Sequence, residues 1–161
     1  MSAVARLSAV PIANDDIVVD YSEQHPHVPD AIYEATFVRH NTALAFGNSP
    51  TVFLWFKLVT PGPNFETELF RAYRVKALMG RPSKTGGQFK LSPNSLLFKD
   101  LGAIADYKLK PSRVSLSILR NCVLEVRTRT VRKGWDQKEL PDWLQYSVID
   151  QIIGTTTGTR T

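Results

Sequence analysis

Cysteine and histidine are scarce in this chain, which argues against a disulfide-stabilised protein and against a metal-binding protein. The single cysteine, Cys122, cannot form a disulfide within the chain, so a disulfide-stapled scaffold is excluded and a reducing compartment is favoured. Two of the three histidines, His25 and His27, lie in a proline-rich stretch without cysteine or carboxylate partners at ligand spacing, which argues against a metal site. We therefore expect neither a metal nor another cofactor.

Long apolar runs are also missing. No stretch approaches the ~20 residues that a membrane-spanning helix needs, so we expect no membrane partner. The N-terminal residues contain one arginine and no sustained apolar core, which is a poor signal peptide. The hydrophobic fraction of 43% and the charged fraction of 22% are ordinary for a globular protein. These features predict a cytoplasmic location.

The sequence also lacks recognisable catalytic motifs. The chain has no P-loop, zinc motif or dinucleotide-binding fingerprint. Cys122 falls on the apolar side of a predicted strand, where an inert core thiol is expected rather than a nucleophile. Glu66 and Glu68 form an acidic pair, but no further carboxylate is placed to share a metal with them. We expect a binding protein rather than an enzyme; a nuclease would need carboxylates that converge on a metal ion.

Charge is distributed unevenly along the chain. Residues 71–138 contain sixteen lysines and arginines against four acidic residues, a net charge of +12. Residues 1–70 carry −5 and residues 139–161 carry −2. A basic centre between acidic ends is typical of a protein that binds a polyanion. The alternative is that these basic residues only solvate the outer faces of the fold.

The chain is organised around residues 50–76, which predict two strands joined by the turn sequence TPGPN. Side chains alternate between the faces of a strand. In the first strand this alternation creates a core face at Val52, Leu54, Phe56 and Leu58. The opposite face carries two aromatic side chains beside a lysine: Phe53, Trp55 and Lys57. Either another layer of the protein covers this face, or a flat, negatively charged ligand does.

The second strand, residues 68–76, has polar side chains on both faces, so its buried face is not evident. After it, residues 80–90, GRPSKTGGQFK, predict a mobile basic loop. The GRP tripeptide is similar to the centre of an AT-hook, and the glycine-rich run is similar to a phosphate-binding loop without its GK[ST] ending. We prefer a third interpretation to these two motifs, in which the segment is a basic connection that closes over a nucleic-acid backbone.

The C-terminal half predicts one helix and two further strands. Ser92 and Pro93 suit the N-cap and first position of a helix whose apolar residues continue to about Ala105. A strand beginning near Cys122 alternates an apolar face with an exposed charged face that contains Arg127 and Arg129. Residues 144–153 predict the last strand.

This order of elements predicts a mainly β fold, a five-stranded, OB-fold-like Greek-key barrel with one helix between strands 3 and 4. A generic α+β sheet covered by one helix is the alternative. We divide the chain into a flexible acidic arm, residues 1–28, a nucleic-acid-binding domain, residues 29–154, and a disordered tail, residues 155–161.

Aromatic and basic residues interleaved on strands are the pattern that indicates function. Aromatic side chains stack on unpaired bases for ~1–3 kcal/mol per base, while lysines and arginines bind phosphates. The predicted binding site comprises Phe53, Trp55, Lys57, Arg71, Tyr73, Arg74, Lys76, Arg81, Lys84, Lys90, Arg127 and Arg129. Trp55→Ala and Arg127→Ala are each expected to weaken single-strand binding without unfolding the domain.

The layout resembles the OB-fold single-stranded-DNA-binding proteins of bacteriophages and mobile elements. The resemblance covers about Ile32 to Gly154, through VFLWFKLV, the basic RAYRVK strand, the glycine-rich FK loop, the helix and the closing YSVIDQIIG. It implies coating of single strands, with DNA favoured, during replication or recombination in a bacterial cell or phage-infected host. It also implies two other kinds of partner. These are replication or recombination proteins, and further copies of the chain in a homo-oligomer. Such proteins often end in an acidic tail, whereas this sequence ends TTTGTRT, so the resemblance does not extend to partner recruitment by that route.

A protein–protein module is the second hypothesis for function. It would serve a mobile element, for example as an inhibitor of a host nucleic-acid enzyme, with Trp55, Trp135 and Trp143 as interface anchors. Salt-dependent DNA binding distinguishes the first hypothesis from this one.

Overall fold

A computed structural model describes residues 10–11, 17–18, 26–45, 47–105, 108–110, 114–134 and 136–156. Two short strands, β1 (Val10–Pro11) and β2 (Ile17–Val18), pair antiparallel with each other. Most of the predicted acidic arm, Trp135 and the last five residues of the predicted tail lie outside the described residues.

A five-stranded antiparallel sheet forms the centre of the protein, which confirms the mainly β class. Its strands, in chain order, are β3 (Ile32–Ala45), β4 (Ser49–Leu58), β5 (Glu68–Arg74), β8 (Leu124–Val131) and β9 (Tyr146–Thr155). The spatial order is β5-β4-β3-β8-β9. β4 and β5 form the predicted hairpin, since Phe56 opposes Leu69 and Val52 opposes Tyr73.

One face of the sheet, the inner face, packs into the hydrophobic core. Alternation in β4 buries the predicted set completely: Val52, Leu54, Phe56 and Leu58. In β8, the side chains of Leu124, Val126, Thr128 and Thr130 are buried while the intervening charged residues are exposed, as expected. The other face, which carries Trp55, is called the outer face below.

The segment predicted as a mobile loop is a second hairpin, and this prediction was wrong. β6 (Ala77–Ser83) pairs with β7 (Gly86–Lys90), with Leu78 opposite Phe89. Glycine favours positive φ, and Gly86 and Gly87, at φ 152° and 105°, begin the return strand. We call β6 and β7 the basic hairpin, because it carries Arg81, Lys84 and Lys90.

The helix, α1 (Leu96–Ile104), follows this hairpin, so five long strands rather than three precede it in the chain. Its N-cap is Ser95, whose side chain accepts from the Phe98 N–H, whereas Ser92 instead forms the preceding turn. The buried residues Leu97, Leu101 and Ile104 place one side of α1 in the core, as the apolar spacing predicts.

The sheet is not closed into a barrel, and the predicted closure was wrong. β5 and β9 are the two end strands, and no backbone ladder joins them among the described residues. Instead, the guanidinium of Arg71 in β5 donates hydrogen bonds to the carbonyl oxygens of Ile149 and Asp150 in β9. A long side chain, rather than a backbone ladder, therefore joins the two edges.

Residues 26–31 cover the inner side of β8 and β9. Val28 is buried, and its N–H donates to the Ser147 hydroxyl over 2.9 Å. The Thr130 hydroxyl donates to Asp30 over 2.7 Å and lies 3.1 Å from the imidazole of His27. These contacts fix the chain directly before β3 to the sheet.

Candidate nucleic-acid interface

The outer face of β4 and β5 carries an aromatic cluster. The cross-strand register sets Trp55 opposite Phe70 and Phe53 opposite Ala72. The Phe70 ring lies 5.2 Å from Phe53 and 5.2 Å from Trp55, and 6.2 Å from Tyr146 in β9, each measured between centroids. Phe70 is only 8% exposed, and burial raises the pKa of Tyr146. These rings therefore pack against one another as a small second core on the outer face.

Trp55 is held in this cluster from several sides. Its indole Nε1–H donates to Asn41 over 2.7 Å, and the Arg39 guanidinium lies 4.7 Å above the ring. Arg39 in turn forms a 2.6 Å ion pair with Glu68. A base that stacked on this side of Trp55 would have to displace both the cation and its ion pair.

The charges on the outer face nearly balance. Its strands present five basic side chains, those of Arg39, Lys57, Arg74, Arg127 and Arg129. They also present four acidic side chains, those of Glu34, Glu68, Glu125 and Asp150. Arg129 pairs with Asp150 over 2.9 Å, and Lys57 lies opposite Glu68 in the register. The strongly positive platform predicted for this face is therefore largely neutralised by its own carboxylates.

Arg71 and Tyr73 lie on the inner face, away from Trp55. The Arg71 Nε–H donates to the Tyr73 hydroxyl over 2.8 Å, and that hydroxyl donates to Asp100 in α1 over 2.6 Å. Tyr73 is 2% exposed, so no base can stack on its ring. Burial, reinforced by the Asp100 carboxylate, raises the pKa of Tyr73 far above its usual range. These two predicted site residues instead join β5, α1 and β9.

The basic hairpin presents its cations to solvent. Arg81 and Lys84 lie near its tip, Lys90 ends β7, and Lys76 precedes β6. All four side chains are exposed, and none forms an ion pair with any described residue. Arg74, at the end of β5, is likewise exposed and unpaired in the described part of the chain. Among the predicted residues, five cations without an ion pair to a described residue therefore lie on the basic hairpin or directly before it, while Lys57 and Arg127 are the two on the rest of the outer face.

The basic hairpin is fixed to β3 by hydrogen bonds through its glycines. His40 Nε2 lies 3.0 Å from the Gly87 carbonyl oxygen, and the Thr42 hydroxyl donates to the Gly86 carbonyl oxygen over 3.0 Å. The Ser83 N–H donates to the same threonine oxygen over 2.9 Å. A Cβ at Gly87 would lie 2.3 Å from Thr42 Oγ1, so only glycine allows this approach.

A groove of about 520 Å³ lies between the basic hairpin, β3 and residues 114–120. Its lining includes Phe37, His40, Met79, Gln88, Phe89 and Arg120, and we call it the hairpin groove. The Arg120 guanidinium lies 5.5 Å above the Phe37 ring, and the His40 ring meets Phe89 edge-on at 6.1 Å. No described residue that lines the groove is acidic. Its volume is within the ~300–1,000 Å³ of small-molecule sites.

Sequence reasoning missed this groove completely. Phe37, Phe89 and Arg120 are separated by dozens of residues, and no spacing rule connects them. The only local signal was the glycine pair at Gly86 and Gly87, which we interpreted as loop flexibility. Its actual role is to bring β7 close to β3.

Comparisons with known proteins identify no relative: no family model, curated protein or solved structure matches this chain. Within the described ranges, no three His, Cys, Asp or Glu side chains come together in a group that could hold a metal ion. No helix in those ranges is long and apolar enough to cross a membrane.

Proposed function

We propose that this protein binds single-stranded nucleic acid, with DNA favoured, through the basic hairpin and the hairpin groove, and without base-sequence preference. The observation that carries the proposal is an exposed set of cations without ion pairs, on the same hairpin that forms one wall of a groove with aromatic side chains and no described acidic residue. Phosphates would bind the cations, and release of their counterions would supply much of the affinity.

The proposal moves the site from the outer face to the basic hairpin. Of the residues singled out in the sequence, it retains Lys76, Arg81, Lys84 and Lys90, together with Arg74, the outer-face cation that ends β5 three residues before the hairpin. A strand on the outer face would meet nearly equal numbers of carboxylates and cations, whereas a strand along the hairpin would meet cations alone. The same proposal includes the biological role, which is coating of DNA during replication or recombination of a phage or mobile element. It also includes the relation of this open sheet to OB-fold proteins.

The test is fluorescence anisotropy with a labelled single strand of ~30 nucleotides, its duplex and an RNA equivalent, across a salt series. A variant with Arg81→Gln, Lys84→Gln and Lys90→Gln should bind about tenfold or more weakly at low salt. Its salt dependence should also fall, by about 2 in the slope of log K against log salt, because each phosphate contact on a single strand contributes roughly 0.7 to that slope.

The matched control also removes three positive charges, but from a surface outside the basic hairpin. Arg132, Lys133 and Lys138 are exposed in the connection between β8 and β9, and their replacement by glutamine should change affinity much less. Equal loss in both triple variants would show that net charge alone governs binding. Equal affinity for the duplex would remove the single-strand part of the proposal.

A protein partner is the second candidate, and one observation favours it. Trp143 is 46% exposed in a single 3-10 turn, Asp142–Leu144, immediately before β9, which is an arrangement suited to an interface anchor. Absence of binding to any nucleic acid at low salt would favour this function over the first.

A further inference from the structure

The hairpin groove combines two features that a backbone-binding surface does not need. A row of exposed cations is enough to hold phosphates, and the basic hairpin supplies it. The groove adds an apolar wall: Phe89 and Phe37 are half-buried, and Met79 keeps 49% of its surface exposed although it is a large apolar residue. Together these side chains leave an apolar surface partly open to solvent beside the cations.

Most polar side chains in the groove can donate a hydrogen bond, and some can either donate or accept one. Arg120 can only donate, and its guanidinium suits the paired oxygens of a phosphate. The hydroxyl of Ser115 donates to Ser117 over 2.9 Å, so the proton of Ser117 remains available to a ligand. Gln88 is exposed and can both donate and accept. This combination, without a described carboxylate, is complementary to an anion that also carries a polar ring.

We propose that the hairpin groove is a subsite for one nucleotide, in which an unpaired base packs against Phe89 and Met79 while its phosphate binds Arg120. The inference rests on the proposed function and deepens it by naming where a base is bound. The Arg120 guanidinium lies over Phe37 and lines the groove, so it is placed to turn to a phosphate there. A base must leave its pair to enter, and the subsite therefore selects single strands over duplex.

The binding test uses Arg120→Gln, which removes the charge and keeps a polar side chain. Affinity for a 30-nucleotide oligo-dT strand should fall on the order of tenfold, because a charge-assisted hydrogen bond is lost. Arg120→Lys should restore part of this loss, since lysine also binds phosphate. Arg132→Gln, the same change at an exposed arginine between β8 and β9, should leave affinity nearly unchanged. Thermal unfolding of each variant checks that the fold is retained.

The second readout follows the 161-residue chain by amide NMR during titration with thymidine monophosphate. Shifts concentrated at His40, Gln88, Ser117 and Arg120 would support the subsite. Single-strand binding that is insensitive to Arg120→Gln, with no groove shifts, would overturn the subsite and leave standing single-strand binding by the cations of the basic hairpin. If the wild-type protein binds no single strand at low salt, both proposals are wrong.

Discussion

Gly87 shows how much a single residue contributes to the geometry of the site. Its φ of 105° is one that side chains with a Cβ rarely adopt, and its Cα faces the hydroxyl of Thr42. The same hydroxyl accepts from the Ser83 N–H and donates to Gly86, so a displaced threonine would lose two hydrogen bonds of the basic hairpin.

We expect Gly87→Ala to destabilise the protein by about 1–3 kcal/mol, because the new methyl group overlaps Thr42 and the backbone is strained. The matched control is Gly102→Ala in α1, where a Cβ meets nothing within 4 Å. That change should stabilise the protein by roughly 0.5–1 kcal/mol through helix propensity. Urea unfolding of both variants measures the difference, and equal stabilities would contradict the contact between the hairpin and β3.

Trp55 tests whether the outer face binds a ligand or only packs. Trp55→Ala removes the ring contact with Phe70 and leaves the Asn41 amide without its donor, so we expect a loss of about 2 kcal/mol in the free energy of unfolding. Arg127→Ala, on the exposed face of β8, should be nearly neutral for stability.

Neither variant should greatly weaken single-strand binding if the strand lies along the basic hairpin. This differs from the expectation drawn from the sequence, because Arg39, the cation over Trp55, is ion-paired with Glu68 and the outer face carries nearly as many carboxylates as cations. A base stacked on Trp55 would contribute ~1–3 kcal/mol, so a loss of about fivefold or more in the folded variant would return the site to the outer face. Anisotropy at fixed salt decides between the two faces.

At the scale of elements, the contacts of Tyr73 and its neighbour Arg71 join three parts of the fold, β5, α1 and β9, that no backbone ladder connects in the described part of the chain. Its hydroxyl lies between Arg71 in β5 and Asp100 in α1, and Arg71 continues to the carbonyl oxygens of β9. Arg71 also lies 3.5 Å from the Asp100 carboxylate, with both side chains mostly buried. This network therefore holds the open ends of the sheet together.

The raised pKa of Tyr73 predicts a specific loss of stability in alkali. An unfolded tyrosine releases its proton near pH 10, whereas the folded protein retains it, so the unfolded state binds fewer protons above that pH. The free energy of unfolding should then fall as pH rises, by up to ~1.4 kcal/mol per pH unit from this group.

Tyr73→Phe should separate this effect from other alkaline titrations. It removes the hydroxyl that Asp100 and Arg71 share, so we expect lower stability at neutral pH by about 1–3 kcal/mol. The variant should also lose stability less steeply than wild type above about pH 10. Urea unfolding from about pH 9 to 11 measures both slopes, and parallel curves would show that Tyr73 titrates normally.

At the scale of the whole molecule, basic and acidic residues that are separate in the sequence are only partly separate in the folded protein. The basic segment, residues 71–138, includes both the unpaired cations of the hairpin and the exposed arginines of β8. Folding places the β8 arginines on a face whose carboxylates come from β3, β5, β8 and β9. Net charge alone predicts a polyanion partner, and under the proposed function the distribution of ion pairs selects the surface that would bind it.

Much of the local structure was predictable from the sequence, because it depends on short-range periodicity. The alternation in β4 and β8 identified their buried residues, and the apolar spacing of α1 identified its buried side. The second strand of the central hairpin could not be assigned in this way. Leu69, Phe70 and Tyr73 are all buried, since both faces of β5 are covered, and alternation carries no information there.

The sequence by itself determined the class of the fold, the two faces of its most regular strands and the position of the positive charge along the chain. Those properties follow from side-chain periodicity and composition. Only the tertiary structure decided that Arg71 and Tyr73 turn inward, that the glycine-rich segment forms a hairpin docked on β3, and that the sheet stays open. The physical reason is that each of these outcomes depends on contacts between residues far apart in sequence, such as His40 with Gly87, which no local pattern encodes.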